Sequence, residues 1–385
     1  MNTTSKVTTS VIRLALLAVL FVFLFYPDKF HVTFGYPGFP QSDSFYIRLT
    51  KTVFWLLLVI EILRIFYYGV VKSKAKGLVA NIVTLVVPLL VVLVFLEMVF
   101  MYIPQSHEGV LSKASQIWWE KYWNPVNAQG YRDKEIEAGT NKTKVLVIGD
   151  SFAAGHGLEN LDERFSDQLE SKLGKDKYVV YNLGVSGSDT RDEAKRLMEF
   201  PVKPDVIVLQ YFPNDIEKAA RENGLTLTGA EPYNDLHGPW ATLVKRFYLP
   251  NFVYWQLPHG SFGGTFESFV QKSYTDSTIL NAHFRDLNQM LAYRDSTNAK
   301  MYAVFVPFLF QLDKSEQYTR PVEDYLKVHS VKVVTLTDGI AKIADKDRVV
   351  GKNDGHAGPA VNALMAERVY GAIRGGREEG RKGGK

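Results

Sequence analysis

Five short runs of β-branched and aromatic residues, at 145–148, 178–182, 206–211, 301–306 and 331–336, constrain this chain more than anything else in it. Each is nearly continuous in apolar character rather than alternating, which is the pattern of a strand covered on both faces. Residues 163–173 and 189–200 lie between them with apolar positions at helical spacing. Strands that alternate with crossover helices predict an α/β fold, a doubly wound five-stranded parallel sheet of the flavodoxin-like type. Side chains that do chemistry in such a sheet gather at the carboxyl ends of its strands.

The first hundred residues follow a different pattern. Apolar stretches at about 8–27, 52–71 and 78–103 predict three transmembrane helices ahead of the sheet, the third roughly 39 Å long at 1.5 Å per residue. A short apolar run behind Lys6 and Arg13 also suits a signal peptide, but Phe25, Tyr26 and Phe30 are bulky where a signal peptidase needs small residues, so the run is read as retained. Lys6 and the basic connector at 72–76 belong on the cytoplasmic side. The reading is a multi-pass cell-membrane protein with a cytoplasmic N-terminus and a periplasmic or extracytoplasmic domain.

The expected organisation is a membrane region 1–104, an aromatic juxtamembrane linker 105–143, the α/β domain 144–372, and a disordered charged tail 373–385. Residues 216–280 break the strand–helix repeat with many aromatics, glycines and prolines. They read as an insertion, either a lid or substrate-binding surface or a satellite core. Trp118, Trp119 and Trp123 sit just past the third apolar stretch, where their rings could lie at lipid headgroups or pack on the folded domain. Glu61, Arg64 and Glu97 fall inside the apolar stretches, where charges are functional candidates. The absence of cysteine excludes disulfides, and the net charge of +4 is accounted for by the helix flanks and the tail, so no nucleic-acid partner is expected.

The run 145–148 stops at Gly149-Asp150-Ser151 and passes into Phe152-Ala153-Ala154-Gly155-His156-Gly157, so a strand delivers a serine to a sharp turn. Much later the chain reads Asn353-Asp354-Gly355-His356, a carboxylate and a histidine two residues apart beside a plausible helix start. Serine is a poor nucleophile at neutral pH and needs a base, which in turn needs an orienting acid. Asp150 is read as serving the turn, Asp215 as bracing its loop, and His156 as a loop residue.

These blocks resemble those of the SGNH (GDSL-like) hydrolase superfamily: Gly149-Asp150-Ser151, then Asn182-Leu183-Gly184-Val185-Ser186-Gly187, then Asn214-Asp215, then Asp354-Gly355-His356, in order across 144–370. The resemblance implies Ser151 as nucleophile, His356 as base, Asp354 as its partner, and an oxyanion hole from the Ser151 and Gly187 N–H groups and the Asn214 side chain, with neither metal nor cofactor. Departures from the family are Phe212-Pro213 where glycine usually precedes the Asn-Asp pair, which makes the pocket wall bulkier, and Asp-x-His in place of Asp-x-x-His. The latter looks like the form found in SGNH-type polysaccharide O-acetyltransferases and also in plain esterases.

The expected function is therefore a membrane-anchored extracytoplasmic serine esterase acting on acyl esters, above all O-acetyl groups of an envelope polysaccharide. The alternatives are a polysaccharide O-acetyltransferase that takes its acyl group from a multispanning membrane partner, and a catalytically idle glycan-binding scaffold. The expected partners are the acyl-ester substrate and the lipid bilayer.

Overall fold

The structure, a computed structural model, describes residues 3–30, 45–71, 78–106, 111–137, 139–227, 233, 236–257 and 262–382. It divides into two compact units, Met1–Lys121 with Tyr233–Pro258, and Tyr122–Pro232 with His259–Lys385.

The second unit holds the sheet. Its strands are β1 (Thr143–Ile148), β2 (Tyr178–Asn182), β3 (Val206–Tyr211), β4 (Lys300–Phe305) and β5 (Lys332–Thr335), in the order β2-β1-β3-β4-β5. All four pairings are parallel. Because side chains alternate across a strand, each strand feeds two cores. Leu146, Ile148, Ile207, Leu209 and Ala303 enter one, beneath the helices Thr190–Glu199 and Ser277–Thr297. Val145, Val147, Val208 and Val304 enter the other, beneath Phe165–Leu173 and Pro359–Lys382. Each of these aliphatics is fully buried, and each valine, leucine and isoleucine among them contributes about 1.5–3 kcal/mol in transfer free energy. The chain leaves β1 for one edge and returns for the other, so the topological switch lies between β1 and β3, and a crevice for ligands opens outside their carboxyl ends.

The first unit contains the helices Thr3–Phe25, Phe45–Ile65 and Leu78–Phe100. Among the described residues one helix, Val7–Phe25, is long and apolar enough to cross a membrane, and Leu85–Phe100 is a shorter apolar stretch. One candidate span thus stands where hydropathy led to an expectation of three. The second helix carries Arg48, Lys51, Glu61 and Arg64. The connector 72–76 lies outside the described residues.

Charges within these helices have defined partners. Glu61 meets Arg13 at 3.0 Å and Arg64 at 3.8 Å. Glu97 accepts the backbone N–H groups of Tyr248 and Leu249 at 2.7 and 2.8 Å, capping the first turn of the helix Tyr248–Gln256, where a carboxylate also complements the helix dipole. Tyr248 is buried in one cluster with Phe25, Phe54, Trp55, Met101 and Ile117.

Three boundaries differ from expectation. Part of the segment 216–280, Tyr233–Pro258, clusters with the first unit, because Phe247 and Tyr248 are large apolar side chains whose neighbours lie there. The region read as a linker contains the helix Lys113–Tyr122, with Trp118 and Trp119 buried. The tail read as disordered is helical to Lys382, since its Arg, Glu and Lys residues are good helix formers that prolong a helix already nucleated on the sheet.

Candidate active site

Ser151 opens a four-residue helix directly after β1. Asp150 caps it by accepting the Phe152 N–H at 2.9 Å. Gln210, a polar residue near the end of an otherwise apolar β3, accepts the N–H groups of Asp150 at 3.2 Å and Ala153 at 2.9 Å and so ties the turn to the neighbouring strand. Gly149 permits that approach: a Cβ there would stand 2.4 Å from the Gln210 carbonyl oxygen.

Asp354 and His356 lie on a short strand, β7 (Asp354–Ala357), paired antiparallel with β6 (Val349–Gly351). The helix start expected beside them comes only at Pro359. In a strand, residues i and i+2 share a face, and that is why an Asp-x-His spacing works here. His356 Nδ1 is 2.5 Å from Asp354 Oδ1, and the His356 backbone N–H donates to the same oxygen at 3.0 Å. On the far side of the ring, His356 Nε2 is 2.8 Å from Ser151 Oγ. Serine, imidazole and carboxylate therefore form one hydrogen-bonded line, in which the acid fixes the tautomer that leaves Nε2 free to accept the serine proton.

The middle blocks wrap around this line. Leu183 N–H donates to Val147 O at 2.8 Å and Val185 N–H to Gly149 O at 3.2 Å, extending the β1–β2 pairing past the strand ends. Asn182 is buried and holds the loop: its amide donates to Ala153 O at 2.7 Å and Ser166 Oγ at 2.8 Å, and its oxygen accepts Gly184 N–H at 2.8 Å. Gly187 is exposed at φ +76°, a left-handed conformation that favours glycine. Thr190 N–H donates to Asp215 O at 3.2 Å, linking this loop to the one carrying Asn214. Asp215 also accepts the Phe212 N–H at 2.9 Å, so it braces its own loop. Phe212 stacks on Phe152 with centroids 4.3 Å apart, giving the site a rigid apolar wall.

All four blocks thus converge on the switch between β1 and β3. The second unit is a five-stranded parallel α/β sheet with this line of residues at its switch point.

No family model matches the chain. Among curated proteins it is similar to YpmR of Bacillus subtilis (strain 168), an uncharacterized protein, at 23% identity over 259 residues, covering 62% of this chain and 86% of that one. Among solved structures it is similar to a lipase/acylhydrolase from Enterococcus faecalis (14% identity, 60% of this chain and 96% of that chain, TM-score 0.37). Two others are a member of the lipolytic protein G-D-S-L family from Veillonella parvula (13%, 59% and 96%, TM-score 0.35) and an acetyl-xylooligosaccharide esterase from Geobacillus (15%, 61% and 94%, TM-score 0.35).

Near this site lie three buried carboxyls, Asp150, Glu193 and Asp215. Burial pushes all three above the ordinary carboxylate range; the Asp150 carboxylate adds to this at Glu193 and Asp215, and Glu193 adds to it at Asp215. Neither carboxyl oxygen of Glu193 has a protein hydrogen-bond partner. An acid whose pKa is raised by folding adds stability below its unfolded value of about 4.3, and that contribution is lost as pH rises toward the folded value. Glu193→Gln, which cannot ionise, should raise unfolding stability at pH 8 by roughly 1–3 kcal/mol and leave it little changed at pH 4. Denaturant titration at both pH values checks this, and a loss of stability at pH 8 would show that the carboxylate is needed charged.

Three further residues escaped the sequence reading. Arg132 is buried and donates to Gly155 O at 2.6 Å, Leu158 O at 2.8 Å and Tyr122 O at 2.7 Å, which clamps the loop after the nucleophile. Arg164, also buried, donates to Arg132 O and pairs with Asp133 at 3.0 Å and Asp167 at 2.7 Å. Burial raises Asp133 to about 6 against the pull of Arg164. The third is His156, which sequence gave as a loop residue. It is buried, and its ring stacks on that of His356 with centroids 4.2 Å apart.

His156, Asp354 and His356 are the one group among the described residues whose donor atoms lie close enough to share a metal ion, all within 4.8 Å. In the structure both nitrogens of the His356 ring are engaged, by Asp354 and by Ser151.

Proposed function

We propose that this chain is a serine ester hydrolase that works through an acyl-enzyme. The observation that carries the reading is the unbroken line Ser151 Oγ, His356 Nε2, His356 Nδ1, Asp354 Oδ1, with contacts of 2.8 and 2.5 Å. Ser151 Oγ attacks the ester carbonyl while its proton passes to His356 Nε2, and Asp354 stabilises the resulting imidazolium. The negative oxygen that develops is held by the Ser151 and Gly187 N–H groups and the Asn214 amide. As the tetrahedral adduct collapses, the alcohol leaves with the proton from His356. Water then attacks the acyl carbonyl and gives its proton to the same nitrogen, which passes it to Ser151 Oγ as the acyl–oxygen bond breaks and the acid is released.

We assign a short acyl group to the substrate. Phe212 stands where many family members have glycine, and stacked on Phe152 it makes the wall beside the carbonyl bulkier. An O-acetyl group on an envelope glycan fits both this wall and a protein tethered by Val7–Phe25 with Lys6 on the cytoplasmic side. The Asp-x-His spacing also suits an O-acetyltransferase, in which a sugar hydroxyl replaces water in the second half-reaction.

The test is turnover of p-nitrophenyl esters by the full chain in detergent. Acetate should exceed octanoate by about tenfold or more in kcat/KM, and Phe212→Ala should narrow the gap. Equal turnover of both esters by the wild type would overturn the short-acyl assignment. Adding an oligosaccharide and measuring acetylated sugar against free acetate separates transfer from hydrolysis.

A further inference from the structure

We infer that His156 is a positioning residue that extends the triad by one member and acts through Asp354. The inference rests on the proposed esterase reading and deepens it.

Three observations converge. Asp354 presents Oδ1 to His356, while its other oxygen, Oδ2, faces His156 Nε2 at 3.8 Å, with both side chains almost fully buried. On the opposite edge of the ring, His156 Nδ1 is 3.5 Å from Ser186 Oγ, in the second motif block. The His156 ring lies over His356 at 29° between planes, and Phe152 meets the same imidazole at 5.1 Å. His356 is therefore held between two rings as well as by its acid.

The polar contacts imply one tautomer. With Ser186 Oγ–H donating to Nδ1, His156 carries its proton on Nε2 and directs that N–H dipole at Asp354 Oδ2. The carboxylate then has a donor on each oxygen, which fixes its rotation and so the aim of His356 at Ser151. At 3.8 Å the interaction is electrostatic rather than a full hydrogen bond, yet in a buried site such a dipole is weakly screened. The position is built by the local fold. Gly155 takes φ +73° to end the nucleophile helix, the His156 N–H donates back to Ser151 O at 2.9 Å, and Arg132 holds Gly155 O and Leu158 O on either side.

The experiment compares His156→Phe and His156→Gln in the full chain with p-nitrophenyl acetate. The phenyl ring retains the stack and loses the N–H, whereas glutamine retains an N–H of similar reach. We expect the Phe variant to lose about 10–100-fold in kcat at unchanged KM, with the Gln variant within about threefold of wild type. A loss from the stack would fall on the Gln variant and spare the Phe variant, and one from local unfolding would fall on both variants or on KM; either would overturn the inference, and so would a Phe variant with wild-type kcat. Should the Phe variant not fold, the far-downfield proton resonance of His356 Nδ1–H decides the matter: it should persist in the Gln variant and be lost in His156→Leu, and persistence in both would overturn the inference. A wild-type chain that hydrolyses nothing would instead count against the esterase reading itself.

Discussion

Ser151→Ala should abolish covalent labelling by a small fluorophosphonate, while the wild-type chain takes up a single adduct visible by intact mass. The phosphorus centre reports the same event as an ester carbonyl, attack by an activated serine oxygen, without asking what the natural substrate is. Activation depends on the 2.8 Å contact between Ser151 Oγ and His356 Nε2, so His356→Ala should label slower by about 10⁴-fold. Ester hydrolysis should fall with labelling in both variants, because Ser151 and His356 act as one unit and their losses do not add. A wild-type chain that is folded and refuses the reagent would favour the idle binding protein over the enzyme. Labelling that survived Ser151→Ala would move the nucleophile to another residue.

The second large effect concerns stability. Arg164→Leu should destabilise the sheet-bearing unit by about 3–5 kcal/mol, because it strands Asp133 in the interior and removes a donor from Arg132 O. For a unit of this size that corresponds to a fall in Tm of roughly 6–20 °C. Asp133, already raised to about 6 by burial, would rise further without the cation beside it. The variant should therefore recover part of its deficit as pH is lowered from 8 to 5, where the stranded acid takes a proton. Scanning calorimetry at the two pH values measures both effects. A pH-independent deficit would assign the loss to packing of the arginine stem instead of to the buried charge.

The sheet was legible because its five strands are covered on both faces, and such strands announce themselves as continuous apolar runs. The site was legible because the chemistry restricts Ser151, Asp354 and His356 to few residue types in a known order. The first unit was harder. Hydropathy averages over a window, so Glu61 and Arg64 did not break the apolar stretch that holds them and Arg48 and Lys51 fell just outside it, although all four lie on one helix whose Glu61 pairs with Arg13 and Arg64. His156 escaped for the opposite reason. Its neighbours Gly155 and Gly157 mark a turn, and only the fold shows that the turn folds the ring back onto His356, some two hundred residues away in sequence. Arg132 and Arg164 bear no motif at all, since what they recognise is backbone carbonyls, which every sequence has.

The return of Tyr233–Pro258 to the first unit has its own consequence for how this protein can be dissected. The chain does not pass from one unit to the other once; it goes back and returns. A polypeptide begun at residue 122, chosen to free the sheet-bearing unit from its N-terminal helices, would still carry the helix Tyr248–Gln256 but none of Phe25, Phe54, Trp55 or Glu97 that cover and cap it. Such a piece would expose a sticky aromatic face in midchain. A version limited to the second unit has to excise both segments and rejoin the chain across the second gap.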